Sequence, residues 1–223
     1  MTVTKLEAGS KGRISVYLDG EFAFVLYKGE LSKYGIEEGA IVADDLRERV
    51  ISEVINKRAK LRAMNLLKTR DRTEADVRNK LLDGGYPENS VDEAIEYLKS
   101  FNYIDDLRYA GDYIRFKSTC MSKAVIMRNL LQKGVDKDII EQAYVEHSSD
   151  SSVSDTCEED ELICKLIHKK CQNLASLDYT DKMKLFSYLY RKGFERDSIE
   201  RIFRREVDKC EFDRASSEEY DII

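Results

Sequence analysis

Cys164, His168 and Cys171 are the residues of this chain whose types and spacing come nearest to metal-binding chemistry. Thiolate and imidazole are ligands that zinc prefers, and this spacing places all three on one side of a helix. Tetrahedral zinc needs ligands from different directions, and one helix supplies only part of that set. The three residues also flank an apolar stripe, where cysteine behaves as a small buried hydrophobe. We therefore expect neither a metal site nor a cofactor.

Candidates for catalysis are equally few. Asp105 and Asp106 are adjacent carboxylates, but they precede an amphipathic run, and helix capping explains them better than catalysis or magnesium binding. His147 and His168 are the two imidazoles of the chain, and neither stands in a pattern that pairs a nucleophile with a base. The glycines in residues 9–12 lack the spacing and the Lys-Ser/Thr ending of a phosphate-binding loop. We expect no enzymatic activity.

A dense basic run is the strongest functional candidate. Seven Lys and Arg residues stand between Lys57 and Arg72, against Asp71 as the one acid. Such a run is able to contact a phosphate backbone or an acidic partner surface, and it is equally able to keep a helix flank soluble. Smaller basic sets recur further along the chain. The candidate residues for binding a partner or DNA are Lys57, Arg58, Arg62, Lys68, Arg70, Arg72, Arg108, Arg115, Lys117, Lys123 and Arg128.

Charge is distributed unevenly along the chain. The formal net charge is −6, which argues against nucleic acid as a partner until the acidic segments are set apart. Residues 147–161 contain six acids and no Lys or Arg, and residues 211–223 contain five acids and one Arg. The remainder is therefore net positive. We interpret residues 147–156, rich in Ser, as a flexible linker and the C-terminal segment as a disordered tail.

Composition also indicates a compartment. No apolar run approaches the length of a membrane span, and the N-terminus lacks the apolar stretch of a signal peptide. Five cysteines, an odd number, are typical of reduced thiols. We expect a soluble, monomeric protein of the cytoplasm with no membrane partner.

One phrase occurs three times in the sequence. In each copy Leu stands four residues before a Gly, and an apolar residue follows that Gly directly; the glycines are Gly85, Gly134 and Gly193. Gly after an apolar-periodic run is typical of a helix that ends in a left-handed turn. Apolar residues six and ten positions beyond each Gly predict a second helix, and amphipathic stretches at 44–69, 106–119 and 158–174 predict one before each pair. The unit is therefore three helices, repeated three times.

The first residues follow a strand pattern. Apolar residues alternate on both sides of Asp19-Gly20, which predicts a β-hairpin. A two-residue turn would pair Leu18 with Glu21 and place the apolar triplets on opposite faces, so a longer connection or a bulge is needed. Residues 40–42 are a candidate third strand. Asp44 is placed to cap the next helix, whose apolar positions predict that the sheet packs on it; these positions are Leu46, Val50, Val54, Leu61 and Met64.

These patterns divide the chain into six segments. We assign a small β module to residues 1–43, three-helix repeats to 44–104, 105–147 and 158–209, an acidic Ser-rich linker to 148–157 and an acidic tail to 210–223. The predicted fold class is mainly α, with three tandem three-helix repeats in an elongated, curved array and a small N-terminal β-hairpin module.

An ordered set of residues runs through the first repeat and into the second. The set comprises Ala63, Leu66-Leu67, Arg70-Asp71-Arg72-Thr73-Glu74, Lys80-Leu81, Gly85-Tyr86, Tyr103-Ile104-Asp105-Asp106, Arg108-Tyr109-Ala110 and, in the second repeat, Leu130-Leu131-Gln132-Lys133-Gly134-Val135. This set resembles the signature of the RecX family, bacterial regulators of the RecA recombinase. Two departures are Thr73, where the family has Ser, and residues 118–121, which lack the family's Gly and Arg.

The resemblance implies a function in homologous recombination, DNA repair and the SOS response. A RecX-like protein binds the RecA filament on single-stranded DNA and modulates, usually inhibits, its ATPase, strand-exchange and co-protease activities. Two alternatives remain open from the residues alone. One is an independent helical module that binds DNA or RNA without a recombinase, and the other is a general protein-interaction scaffold. Salt dependence separates direct phosphate binding from apolar protein contacts.

Overall fold

The structure is a computed structural model that describes residues 1–150, 155–171 and 173–220, with side chains at 1–148, 159–171 and 173–209. The chain forms two compact units, Met1–Asp106 and Leu107–Ile223. The first contains a three-stranded antiparallel sheet and helices, and the second is helical. The predicted class, mainly α with three-helix repeats and a small N-terminal sheet, is confirmed.

The hairpin solves the register problem with a bulge. Strand β2 (Arg13–Leu18) pairs with β3 (Glu21–Tyr27) through a two-residue turn in which Asp19 and Gly20 both have positive φ, of 50° and 91°. The register shifts after Val16, so that Val16 faces Phe24. Both side chains are fully buried. The expected bulge is therefore present, and it brings Val16 and Phe24 to one face, whereas Phe22, which pairs with Tyr17, is 45% exposed.

The third strand differs from the expectation. Strand β1 (Val3–Ala8) pairs with β2, and it does so across a register shift between Val3 and Lys5. Of the candidate residues 40–42, Ile41 makes an isolated bridge with Thr2 and belongs to no strand. Because the irregularity breaks the alternation of apolar residues in β1, the sequence pattern there is weak.

A long helical run joins the sheet to the first three-helix unit. After β3 come α1 (Lys28–Tyr34), α2 (Asp44–Val50), a π-helical turn (Ile51–Ile55) and α3 (Asn56–Leu67). The wider turn spaces the buried Val50 and Ile55 by five residues instead of four. The predicted attachment of the sheet to this helix is confirmed, because Val50 and Ile55 lie in the same apolar cluster as the sheet.

Two details of that helix were predicted wrongly. Leu61 is 58% exposed, because the π-helical turn shifts the buried stripe to Ala59 and Ala63. Ala43, and not Asp44, holds the N-cap position of α2, where no side chain caps the helix. Asp44 instead lies in the first turn, where an acid interacts favourably with the helix dipole.

Helices α4 (Glu74–Leu82) and α5 (Glu88–Ser100) complete the first three-helix unit. Thr73 caps α4, since its side-chain oxygen accepts the N–H of Asp76 at 3.2 Å. Apolar residues of all three helices form one buried cluster around Leu81 and Leu98. The first two helices of the second unit are α6 (Asp106–Lys117) and α7 (Lys123–Gln132), followed by α8 (Lys137–Asp150).

The last three helices are α9 (Asp155–Lys170), α10 (Tyr179–Arg191) and α11 (Arg196–Tyr220). Helix α8 and helix α9 both extend into the segment interpreted as a flexible linker, whose residues 151–154 lie outside the described residues. Helix α11 likewise continues through residues 210–220, where we expected a disordered tail, and residues 221–223 lie outside the description. No Gly or Pro interrupts residues 196–220, so nothing in their composition ends the helix.

The three repeated phrases form the same helix ending. In the first, the N–H of Tyr86 donates back to the carbonyl of Leu81 at 3.3 Å, and the equivalent bonds of the other copies measure 3.1 and 3.4 Å. The glycines between them, Gly85, Gly134 and Gly193, have φ of 77°, 79° and 87°. This is the left-handed Schellman ending, in which the residue after Gly packs on the last turn. The repeat predicted from the sequence is therefore a repeat of structure.

Candidate partner-binding surface

Two cations of α3, Arg58 and Lys60, form contacts within the first unit. Arg58 pairs with Glu30 and donates to the carbonyl of Val25 at 3.0 Å, so it ties the helix to the sheet. Lys60 pairs with Glu93 of α5 at 2.7 Å. Both residues are partly buried. Two of the seven cations in the basic run are therefore paired within the fold.

Arg72 has a structural role as well. Its side chain is 10% exposed, and its guanidinium donates to the carbonyl of Leu66 at 3.0 Å and pairs with Asp76 at 2.5 Å. Partial burial raises the pKa of Asp76, but hydrogen bonds from Arg72 and Lys80 outweigh it and hold the pKa below its usual range. Arg72 therefore closes the turn between α3 and α4. It was named as a candidate for partner binding, and this packing makes it a poor one.

Four of the predicted cations remain exposed: Lys57, Arg62, Lys68 and Arg70. No ion pair joins any of them to a residue of the described part of the chain. With about 3.6 residues per turn, Lys57 and Lys68 lie on one stripe of α3, next to Lys60 on the side of α5. Arg62 lies nearer to Arg58, on the side of the sheet. The exposed positive charge of this unit is thus divided between two flanks of α3.

The candidates in the second unit are more dispersed. Arg108, Arg115, Lys123 and Arg128 are exposed, whereas Lys117 is partly buried. Arg115 lies 3.5 Å from Asp112 on its own helix, and the ammonium of Lys123 lies 4.6 Å from the centre of the Tyr144 ring. These five residues stay predictions as partner-binding residues.

Of the adjacent acids Asp105 and Asp106, the second contacts the start of a helix. Asp106 accepts the N–H of Glu74, the first residue of α4, at 2.9 Å. Glu159 does the same in the second unit by accepting the N–H of Lys123, the first residue of α7, at 3.3 Å. Burial raises the pKa of both carboxyls. The sequence predicted that these acids cap a helix, and the contact of Asp106 with α4 is one that it did not suggest.

Cys164 and His168 meet a residue that the sequence did not suggest. Glu206 of α11 is buried, and its carboxylate lies 2.6 Å from Nε2 of His168 and 3.7 Å from the sulfur of Cys164. Burial raises the pKa of the Cys164 thiol. Arg205 donates to the same sulfur at 3.1 Å. These contacts join α9 to α11, and within the described side chains no group of His, Cys, Asp and Glu has the arrangement of a metal site.

The helical spacing of Tyr103, Tyr109, Tyr113 and Phe116 predicts that these rings lie in the core rather than stack on bases, and two of them are exposed. Tyr103 is 51% and Phe116 is 73% exposed, because both lie beyond the apolar stripes of their units. Tyr109 and Tyr113 do border the core of the second unit and stack 6.5 Å apart. Sequence spacing also missed Phe101, which is 57% exposed and follows the last turn of α5. The signal was present, because an aromatic residue just after a helix end has no place in its apolar stripe.

The described part of the chain contains no helix with the length and apolar character needed to span a bilayer.

Comparisons with known proteins agree with this architecture. The family models for the first, second and third three-helix domains of RecX match residues 59–98, 105–143 and 158–203. Regulatory protein RecX of Clostridium botulinum strain Eklund 17B is 31% identical over 214 residues, which cover 92% of this chain and 96% of the relative. The same protein of Clostridium botulinum strain Alaska E43 is 32% identical over 211 residues, covering 91% and 94%.

Solved structures show the same similarity. A crystal structure of regulatory protein RecX matches with a TM-score of 0.59 and 26% identity, covering 90% of this chain and 98% of that one. The crystal structure of RecX from Lactobacillus salivarius matches with a TM-score of 0.60 and 28% identity, covering 69% and 96%. With three domain matches in order and relatives aligned over nearly their whole length, this chain belongs to the RecX family of regulatory proteins.

Proposed function

We propose that this protein binds the RecA filament on single-stranded DNA and inhibits its ATPase, strand-exchange and co-protease activities, acting in the cytoplasm as a monomer. The observation that carries the proposal is the ordered match of all three RecX domains, since the partner is implied by that family. The exposed cations of α3 supply a surface for it. Lys57, Arg62 and Lys68 on α3 and its C-terminal end, with Arg70 in the turn after it, are exposed and form no ion pair with a described residue.

The mechanism we propose is steric and electrostatic. Repeated three-helix units offer a series of modest contacts, and several weak contacts on one chain reinforce each other through effective concentration. Exposed Lys and Arg side chains add attraction to DNA phosphates or to acidic protein surfaces. Asp106 and Glu159, whose pKa burial raises, accept N–H groups at the starts of helices, and Cys164, whose pKa burial also raises, lies at the contact between α9 and α11. No chemical step by this chain is needed to regulate a filament.

The test is the DNA-dependent ATPase of RecA with increasing amounts of this protein. Inhibition at amounts below one molecule per RecA supports filament binding, because each bound molecule would then affect several subunits. Binding to bare single-stranded DNA over a salt series is measured in parallel. An unchanged ATPase together with firm, salt-sensitive DNA binding would instead favour an independent nucleic-acid-binding module.

A further inference from the structure

Three aromatic rings form a ladder on the surface of the first unit. The centres of the Tyr97 and Phe101 rings lie 4.9 Å apart, and those of Phe101 and Tyr103 lie 5.9 Å apart with only 20° between their planes. Phe101 is 57% and Tyr103 is 51% exposed. Most of the other aromatic rings that the structure describes border an apolar core, so two neighbouring, nearly parallel and half-exposed rings are unusual in this protein.

The backbone holds this ladder in place. Helix α5 ends in a left-handed turn at Asn102, whose φ is 55°. The N–H of Tyr103 donates back to the carbonyl of Leu98 at 2.8 Å, and that of Asn102 to the carbonyl of Lys99 at 2.9 Å. This closure sets Tyr103 beside Phe101. The exposed rings are therefore presented on an ordered turn.

One cation of α3 contacts the ladder, and two more lie on the adjoining stripe of that helix. Helices α3 and α5 run in the same direction, because Asn56 bonds to Glu93 and Lys60, one turn later, reaches Tyr97, with its ammonium 5.3 Å from the ring centre. Glu93 neutralises Lys60. Lys57 and Lys68 lie on the adjoining stripe of α3, are exposed and form no ion pair with the described residues.

We propose that this ladder is a stacking platform for unpaired bases of single-stranded DNA, with Lys57 and Lys68 contacting the neighbouring phosphates. Bases have two π-faces and stack on exposed aromatic rings, whereas the bases of a duplex are already stacked on each other. Positive charge beside the rings complements the phosphate backbone that links successive bases. An apolar protein segment would gain from the rings alone and would leave the cationic stripe unused.

This inference deepens the proposed function and rests on it in one respect, because both involve single-stranded DNA. The assay below contains no RecA. Its failure would leave the ATPase test of the proposed function untouched, and failure of the ATPase test would leave this site standing.

Tryptophan at position 101 provides a local probe, because the natural chain contains no Trp. In the full-length Phe101→Trp variant, oligothymidylate is expected to quench the new fluorescence, since a base stacks on the indole ring. An abasic oligonucleotide of equal length keeps the phosphates and lacks the bases, so it should quench weakly. The matched control is Tyr179→Trp, at a position in the second unit that is 79% exposed. There neither oligonucleotide should quench.

Affinity gives the second measurement. Phe101→Ala is expected to weaken binding of oligothymidylate by roughly 5- to 10-fold, the lower part of the range for base stacking because the ring is half exposed. Its binding to the abasic oligonucleotide should be unchanged, as should the circular dichroism of the variant. Tyr179→Ala should bind both oligonucleotides like the natural protein.

Two results would overturn the proposal. One is equal quenching of the Phe101→Trp variant by the thymidylate and abasic oligonucleotides, which would mean that only phosphates are contacted. The other is unchanged fluorescence and affinity with oligothymidylate, which would leave a protein surface as the occupant of the ladder.

Discussion

Replacing Gly85 with alanine is predicted to destabilise the first compact unit. Gly85 has a φ of 77°, and a Cβ built on it would lie 2.9 Å from Cγ2 of Val25 and 3.3 Å from Nη2 of Arg13. Val25 is a buried residue of β3, and Arg13 donates to the carbonyl of Gly84. The substitution thus forces the helix turn away from the sheet that it contacts.

The magnitude has two parts. A left-handed conformation costs an alanine about 1–2 kcal/mol, and the lower entropy of the unfolded alanine variant returns about 0.4–1 kcal/mol. Overpacking against Val25 adds about 1–3 kcal/mol, the usual range for an extra methyl group in a packed site. We therefore expect Gly85→Ala to lose about 2–4 kcal/mol of unfolding free energy.

Gly39→Ala is the matched control. Gly39 lies in the same unit and has a φ of 82°, but a Cβ there would have no neighbour within 4 Å. It should lose about 1 kcal/mol or less, from the backbone conformation alone. Urea unfolding of the full-length variants, followed by circular dichroism with hydrogen exchange over residues 1–106, measures the difference. Equal losses for the two variants would refute the close contact between this turn and the sheet.

Three further predictions concern side chains that the structure places in the fold. Burial raises the pKa of Asp106, so the folded state binds the proton of this carboxyl more tightly than the unfolded chain does. The contribution of Asp106 to the free energy of unfolding therefore falls as the pH rises from the ordinary carboxyl pKa through the raised pKa. Asp106→Asn keeps the acceptor for the α4 cap and should remove this pH dependence with little loss of stability at pH 7, whereas Asp106→Ala should lose about 1 kcal/mol in urea unfolding. A larger loss for Asn than for Ala would contradict the assignment. Burial also raises the pKa of Cys164, so iodoacetamide at pH 8 should modify it more slowly than the exposed Cys120, as followed by mass spectrometry; equal rates would count against the burial of this thiol. Finally, Arg72→Ala should lose about 1–2 kcal/mol of unfolding free energy because it removes the partly buried donor that links the Leu66 carbonyl to Asp76. The exposed Arg70→Ala should change stability by less than about 0.5 kcal/mol. The structural role of Arg72 would be wrong if both variants were equally stable.

The repeated helix endings could be predicted from the sequence because they are local. A left-handed turn after an apolar run needs Gly, and the residue after it must be apolar to pack on the last turn, so the motif appears as a phrase of six residues. The bulge in the hairpin was equally accessible, since only a bulge or a longer connection brings Val16 and Phe24 to one face.

Other features depend on contacts between distant residues. The pairing of β1 with β2 crosses a bulge, and the π-helical turn at Ile51–Ile55 changes the period of the buried stripe without any Gly or Pro to mark it. Whether each cation is exposed or paired also depends on residues that are distant in the sequence. Arg58 and Arg72 look like Lys57 and Lys68 in the sequence, and only the acids and carbonyls brought near by folding remove the first pair from the exposed charge.

We propose that the exposed cations of α3 serve in binding the RecA filament. The most direct test of this proposal is inhibition of the DNA-dependent ATPase of RecA by the natural protein and by a Lys57→Glu/Lys68→Glu variant. A Lys137→Glu/Lys165→Glu variant has the same net charge and changes exposed lysines on α8 and α9 that already pair with acids one turn away, so it controls for charge alone.

We expect the natural protein to inhibit at amounts below one molecule per RecA, and the control variant to inhibit similarly. The Lys57→Glu/Lys68→Glu variant should need at least a 10-fold higher amount for the same inhibition, which corresponds to about 1.4 kcal/mol of lost binding free energy. Equal inhibition by all three proteins would contradict the role of α3, and no inhibition by the natural protein would contradict the proposed regulation of RecA.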